Sequence, residues 1–436
     1  MDFGARQAAG EYLRGIADAR IAALSRAPFA DHYTAAMQAS VGVYVHVPFC
    51  GHVCPYCDFA VEAWPRGRRA ADWPAVEARY VEALRKELDL RAPVFEGRRL
   101  ASLYFGGGTP SLLRIDALAQ IREAVFDRFA SGDEVEVTLE VNPSTLERER
   151  LPGFREEAGV NRLSVGVQSF DDSVLKALGR AHRADESRRT LAAARDAGFA
   201  NISVDLMFAV LEQTPAMLDA DLDRMIEFAP EHISAYELVL EERTPFGRAQ
   251  AAGRMHAYSS DGCADMVERI EARLGEAGYT RYELTNYARA DFESVHNQRY
   301  WRRLPVLGIG VGAHSTDPRR SDRPYGARLA NPREREAWLA SVEAGRPPAV
   351  EEEVLGRDEA LAEAFFLSLR RARGLLAEEI RSEFGAWPRA LFPAAIEALC
   401  VQGLLEERRG GDLRLTPRGR MLADSVFSHF VEPSVD

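Results

Sequence analysis

Alternating apolar and polar residues recur in short runs between residues 41 and 240, and the segments between them return an apolar side chain every three or four positions. The runs read as strands over 41–47, 100–105, 134–141, 162–167, 201–208 and 232–240, because successive side chains of a strand point to opposite faces. Helical spacing occupies 80–90, 118–129, 171–178 and 186–197. Most strands stand about 30 to 40 residues apart with no hairpin signal between them. That rhythm predicts βα units and a parallel barrel or open sheet.

Alternation also sorts the faces. Val41, Val43, Val45 and Val47 share one face of the first strand, leaving Tyr44 and His46 on the other. Thr138 and Glu140 stand opposite the valines and Leu139 of the third strand, Gln168 opposite Leu163, Val165 and Val167, and Asp205 opposite Ile202, Val204 and Leu206. A barrel covers helices with one face of each strand and lines its lumen with the other, so the polar set should converge inside, near the carboxyl ends of the strands. Gly106-Gly107-Gly108-Thr109-Pro110 follows the second strand directly, where glycine lets backbone approach a ligand. Gly308-Ile-Gly-Val-Gly312 lacks dinucleotide-binding spacing and reads as tight packing.

The strongest chemical signal is Cys50-Gly-His-Val-Cys54-Pro-Tyr-Cys57, a three-thiol loop placed just after the first strand. Cubane iron–sulfur clusters take four cysteine ligands, so three thiols on one loop would leave one iron open to a small molecule. Two other readings stand beside it. Zinc would need a fourth donor, and His52 lies inside the loop where closing a tetrahedron is cramped. A dithiol at Cys54-Pro-Tyr-Cys57 would leave Cys50 superfluous.

A formal charge of −12 disfavours general nucleic-acid binding, which rests on neutralising phosphates. Lys86 and Lys176 are the only lysines, and no role follows from that. Cys263 and Cys400 read as isolated buried thiols, and five cysteines in 436 residues make no disulfide framework. No apolar run approaches the ~18 to 20 residues of a membrane span, and the amino terminus lacks a signal-peptide core, so a cytoplasmic, reducing setting is expected. Residues 1–40 read as a helical extension, and from about residue 350 helical patterns lead to a short hairpin near Gly403-Leu-Leu-Glu406 and Leu413-Arg-Leu-Thr-Pro417.

The cysteine spacing followed by the glycine run resembles the radical S-adenosylmethionine (SAM) superfamily. Tyr44-Val-His46-Val-Pro48-Phe49-Cys50, Gly106-Gly-Gly-Thr-Pro110, Glu140-Val-Asn-Pro143 and Arg162-Leu-Ser-Val-Gly-Val-Gln168-Ser-Phe170 resemble the oxygen-independent coproporphyrinogen III oxidase-like family, over residues 41 to roughly 430. The resemblance implies an incomplete parallel (β/α) TIM-like barrel with a winged-helix-like tail, and a [4Fe–4S] cluster held by Cys50, Cys54 and Cys57. It further implies a SAM site of Tyr44, Tyr56, Gly107, Gly108, Thr109, Glu140, Gln168, Arg180 and Asp205. Arg180 read without it would be an exposed helix-end cation.

Two details point within that family. Its oxidases carry a further cysteine two positions beyond the last cluster ligand, where this chain has Phe59. His296-Asn297-Gln-Arg-Tyr300-Trp301 resembles the HNxxYW motif of the HemW-type heme chaperone branch, which implies heme binding through His296. Without the resemblance, His296 would read as a hydrogen-bonded core or loop histidine. The implied function is heme capture and delivery to a membrane-associated acceptor, with peripheral membrane contact and a homodimer as further arrangements. Porphyrinogen decarboxylation and SAM-dependent C-methylation are the enzymatic alternatives. The expected division is 1–40 extension, 41–245 partial barrel, 246–345 barrel extension with the HNxxYW motif, and 346–436 helical tail.

Overall fold

A computed structural model describes residues 39–64, 71–348 and 351–431. The helical extension expected at the amino terminus lies almost wholly outside the described residues.

The strands fall where the alternation puts them. β1 (Ser40–Val47), β2 (Arg99–Gly107), β3 (Ser131–Val141), β4 (Arg162–Gln168), β5 (Ile202–Phe208) and β6 (His232–Glu237) pair in parallel in that order. Helices Trp73–Arg91, Ile115–Arg128, Thr145–Glu156, Ala184–Asp196 and Pro215–Phe228 lie between them in sequence. All four odd-numbered valines of β1 are fully buried, packed with residues such as Leu84, Leu118 and Leu191 in one core. That apolar belt leaves the even-numbered positions to the lumen.

The sheet extends further than the six strands. β7 (Thr280–Arg281) and β8 (Asn286–Ala288) add antiparallel beyond β6. On the other side β9 (Val306–Ile309) pairs in parallel with β1, followed by antiparallel β10 (His314–Asp317), β11 (Ala327–Ala330) and β12 (Glu351–Val354). The twelve strands form one sheet with two free ends, an incomplete barrel rather than a closed one. The 308–312 glycines do serve tight packing: a Cβ on Gly308 would meet the His314 carbonyl oxygen at 2.2 Å, and one on Gly310 the His46 carbonyl oxygen at 2.5 Å.

Residues 355–430 build a second core around Phe365, Ile396, Leu413 and Phe430. Helices Arg357–Arg370, Ala377–Phe384 and Pro393–Val401 lead into a hairpin of β13 (Leu405–Glu407) and β14 (Leu413–Leu415). Arg303 joins this unit to the barrel through Glu363 and Glu383, both at 2.7 Å. Cys263 is buried as expected, whereas Cys400 is only half-buried, at the edge of the second core. Among the described residues no helix is long and apolar enough to cross a membrane.

Candidate functional site

Parallel register stacks the lumen in layers. Gly42, Ser102 and Glu136 share the lowest; Tyr44, Tyr104, Thr138 and Arg162 share the next. Above them, at the carboxyl ends, lies a cavity of about 280 Å³. Its wall includes Cys50, Cys54 and Cys57 with Tyr56 from the loop after β1, Gly107, Gly108 and Thr109 where β2 ends, Glu140 and Gln168 near the ends of β3 and β4, and Asp205 from the middle of β5. Arg180 completes it.

Local hydrogen bonds set these groups. Thr109 Oγ1 lies 3.3 Å from Cys50 Sγ and accepts from Asn142 Nδ2 at 2.9 Å. Asn142 Oδ1 in turn accepts from Arg180 Nη2 at 2.6 Å, and the Gly166 carbonyl accepts from the same nitrogen at 3.0 Å. Arg180 is therefore no exposed helix-end cation; its Nη1 reaches to 3.6 Å from Cys54 Sγ. Gln168 stands at a left-handed φ of 65°, a costly conformation for a side chain with Cβ. The turn beyond it is held by Asp221, which accepts from Ser169 Oγ at 2.7 Å and Phe170 N at 2.6 Å.

The glycine run answers first to protein neighbours. Gly107 has φ 110° and a Cβ there would strike the His46 ring at 2.6 Å, while one on Gly108 would strike the Phe49 carbonyl oxygen at 2.6 Å. The loop passes close against the cysteine segment and still lines the cavity. His46 is held by the fold, its Nε2 2.9 Å from the Ala60 carbonyl oxygen. His52 binds the Gly179 carbonyl at 2.8 Å, which ties the cysteine loop to the far wall rather than to a metal.

The electrostatics suit a cationic ligand. Burial pushes the Glu140 carboxyl up to about 7, with Asp205 adding repulsion against the hydrogen bonds from Tyr104 and Gly107 N. Burial likewise takes Asp205 up to about 6. A cation beside them would restore the ionised forms. Burial also raises the thiol pKa of Cys50 and of Cys57, so metal binding would release protons. Among the described residues no three His, Cys, Asp or Glu donors converge on one ion. The three thiols instead line one cavity, which fits a cluster whose own core spaces its ligands better than it fits zinc.

Two expected residues fall outside this cavity. Tyr44 lies a layer below, its hydroxyl 3.1 Å from His46 Nδ1. His296 lies at the opposite end, on the helix Val295–Trp301. It is 1 % exposed, with Nδ1 2.9 Å from Ser102 Oγ and Nε2 3.2 Å from Tyr300 Oη. Glu136 accepts from the Val295 and His296 amides at 3.1 and 2.9 Å, and Arg299 reaches Ser40 at the start of β1. Both ring nitrogens of His296, the residue expected to bind heme, thus already have protein partners. Burial lowers its pKa to about 3, so the ring is neutral. One column links the two ends: Glu140 accepts from Tyr104 Oη at 2.9 Å, and the Tyr104 ring lies 5.1 Å from that of His296.

Sequence reasoning passed over Asn142, Ser164 and Tyr236, which also line the cavity. Parity carried the first two: Asn142 shares a face with Glu140, and Ser164 with Gln168. Tyr236, past the middle of β6, shares the parity of Ser234, but the alternation there was weak.

Comparison with known proteins agrees with this arrangement. Residues 44–225 match the radical SAM superfamily and residues 355–422 the HemN C-terminal domain. The heme chaperone HemW of Lactococcus lactis is 33 % identical over 91 % of this chain and 98 % of its own length; that of Bacillus subtilis is 32 % identical over 89 % and 98 %. The solved structure of Escherichia coli coproporphyrinogen III oxidase (HemN), a radical SAM enzyme, superposes with a TM-score of 0.74 at 24 % identity, covering 91 % of this chain and 93 % of that one. On these matches the chain belongs to the HemW branch of the HemN-like radical SAM family.

Proposed function

We propose that this chain is a heme chaperone that holds a [4Fe–4S] cluster on Cys50, Cys54 and Cys57, binds SAM beside it, takes up heme and passes it to a membrane-associated acceptor such as a respiratory enzyme. The observation that carries the cofactor part is the convergence of three thiols, two near-neutral carboxyls and Arg180 on one cavity. When bound, the cluster would offer an open iron to the amino and carboxylate groups of SAM and could supply an electron. The protein's own groups bind and orient: Glu140 and Asp205 face the cationic ligand, Gly107 and Gly108 offer backbone, and Arg180 braces Asn142 and the Cys54 edge.

The heme part rests on similarity to the HemW proteins across nearly the whole chain. Phe59, 66 % exposed on the cavity rim, stands where the oxidases of the family carry cysteine, which weighs against porphyrinogen decarboxylation. Ligation by His296 requires the helix Val295–Trp301 to leave Ser102 and Glu136 of the barrel, and the Tyr300 side chain, which travels on the same helix, to rotate off Nε2. Left-handed, non-glycine residues bracket that segment, Asp291 at φ 71° and Arg303 at φ 53°.

The test is transfer. Cluster-reconstituted, hemin-loaded protein is mixed anaerobically with the heme-free form of a membrane-bound heme enzyme. Recovery of the acceptor's activity with depletion of the donor is expected. Retained heme, or decarboxylated (vinyl) porphyrinogen formed from coproporphyrinogen with SAM, reductant and an electron acceptor, would replace the chaperone reading with an enzymatic one.

A further inference from the structure

The helix Val295–Trp301 divides the HNxxYW motif between two faces. His296 and Tyr300 face the barrel, whereas Gln298 and Trp301 line a separate cavity of about 320 Å³ between the barrel and the tail. That volume is at the low end for ligand pockets of ~300 to 1,000 Å³, enough for one edge of a porphyrin but not all of it.

Charge is the unusual property of this cavity. In a chain of formal charge −12, four arginines line it, Arg281, Arg302, Arg371 and Arg373, against Glu293 as its one acidic lining residue. Two are partly neutralised from outside, Arg281 by Glu271 at 3.0 Å and Arg371 by Glu379 at 3.4 Å. Arg371 is 8 % exposed, and its Nε is buried with no hydrogen-bond partner. Trp301 Nε1 is also a buried donor without a partner. Both donors are free to take an acceptor that enters the cavity. Burial lowers the Arg371 pKa, and the charges of Arg302 and Arg373 push the same way against Glu379, a repulsion that a bound anion would relieve.

Guanidinium groups pair with carboxylates through parallel N–H donors, and Trp301 and Tyr282 supply aromatic surface next to them. We infer that this cavity is an anion site that docks the propionate carboxylates of heme on the open face of the motif helix. The inference rests on the heme reading above and does not place the iron on His296, which lies on the other face.

The test uses full-length, cluster-reconstituted protein and compares hemin with its dimethyl ester, which has the same macrocycle and iron but no free carboxylates. Arg373 is exposed, so Arg373→Glu tests the charge with little risk to folding; Arg371→Gln, checked by thermal unfolding, tests the buried donor. The parent should bind hemin about tenfold more tightly than the ester, as expected for a charge-assisted contact. Both variants should lose most of that preference by weakening hemin alone. Equal binding of hemin and ester by the parent, or variants that keep the parent's preference, would overturn this inference and leave the proposed function standing. Stabilisation of the parent but not Arg373→Glu by inorganic phosphate, with hemin and ester bound alike, would assign the cavity to free anions instead. Absence of saturable hemin binding in the parent would remove the heme reading itself, and the docking site with it.

Discussion

The two ends of this barrel carry opposite kinds of polar site. At the carboxyl end, thiols, carboxyls and a guanidinium line one cavity, and burial holds the Glu140 and Asp205 carboxyls near neutral titration. At the amino end, His296 is just as polar and as deeply buried, yet Ser102, Tyr300 and Glu136 answer its ring and backbone. The first end is built around a cavity; the second is closed on itself and could admit a ligand only by coming apart. A motif therefore means different things in the two places. The cysteine loop faces a cavity as folded, whereas both ring nitrogens of the motif histidine are already taken.

The largest effect should come from removing a thiol. Cys54→Ser is expected to abolish the cluster, with iron and sulfide falling to near zero after anaerobic reconstitution while the far-ultraviolet circular dichroism is unchanged. A variant that retains full iron would break the contrast by showing that the loop is not the ligand set.

Next comes the closed end. Glu136→Ala leaves two helix amides without an acceptor and Arg162, 2 % exposed at the side chain, without its nearest carboxylate at 3.8 Å. Breaking a buried pair of this kind costs ~3 kcal/mol, so the unfolding midpoint should fall and amide exchange should rise first across residues 292–303. Unchanged exchange there would mean that the helix is not held by this carboxylate.

A smaller effect is predicted for pH at the open end. The folded pKa of Glu140 is raised from an ordinary 4.5 to about 7, so between those values the folded state binds more protons than the unfolded one. Its contribution to stability therefore falls as pH rises through that window. A cationic ligand prefers the ionised carboxylate, so SAM affinity should rise up to about tenfold from pH 6 to 8. Glu140→Gln should flatten the profile, apart from the portion due to Asp205. Affinity that is level with pH in the parent would remove the carboxylates from the SAM site.

Much of the open end was legible in the sequence because it follows local rules. Strand alternation put Glu140, Gln168 and Asp205 on the lumen face, and the cysteine loop directly follows β1, so chain order alone brought them together. The closed end was less so. Glu136 has the parity of Glu140, but its partners lie 159 and 160 residues away, and no local pattern announces such a pair. The role of Gly42 was hidden in the same way: a Cβ there would meet Arg299 Cδ at 2.6 Å, a demand set by a residue far along the chain. Strands β9 to β12 escaped because each spans only four residues. β12 in particular is Glu-Glu-Glu-Val, exposed throughout, without the apolar alternation that marks a strand. The rules that place polar positions in a barrel are short-range; what closes its far end is not.

The most direct measurement is an anaerobic hemin titration of cluster-reconstituted protein, followed by absorbance, with His296→Ala in parallel. Saturation near one heme per chain, weakened in the variant and with an altered Soret band, is the predicted result, since it requires His296 to leave Ser102 and Tyr300 for iron. Unsaturable binding, or saturation with the same spectrum and affinity in both proteins, would contradict it and leave His296 as a core residue of the closed end.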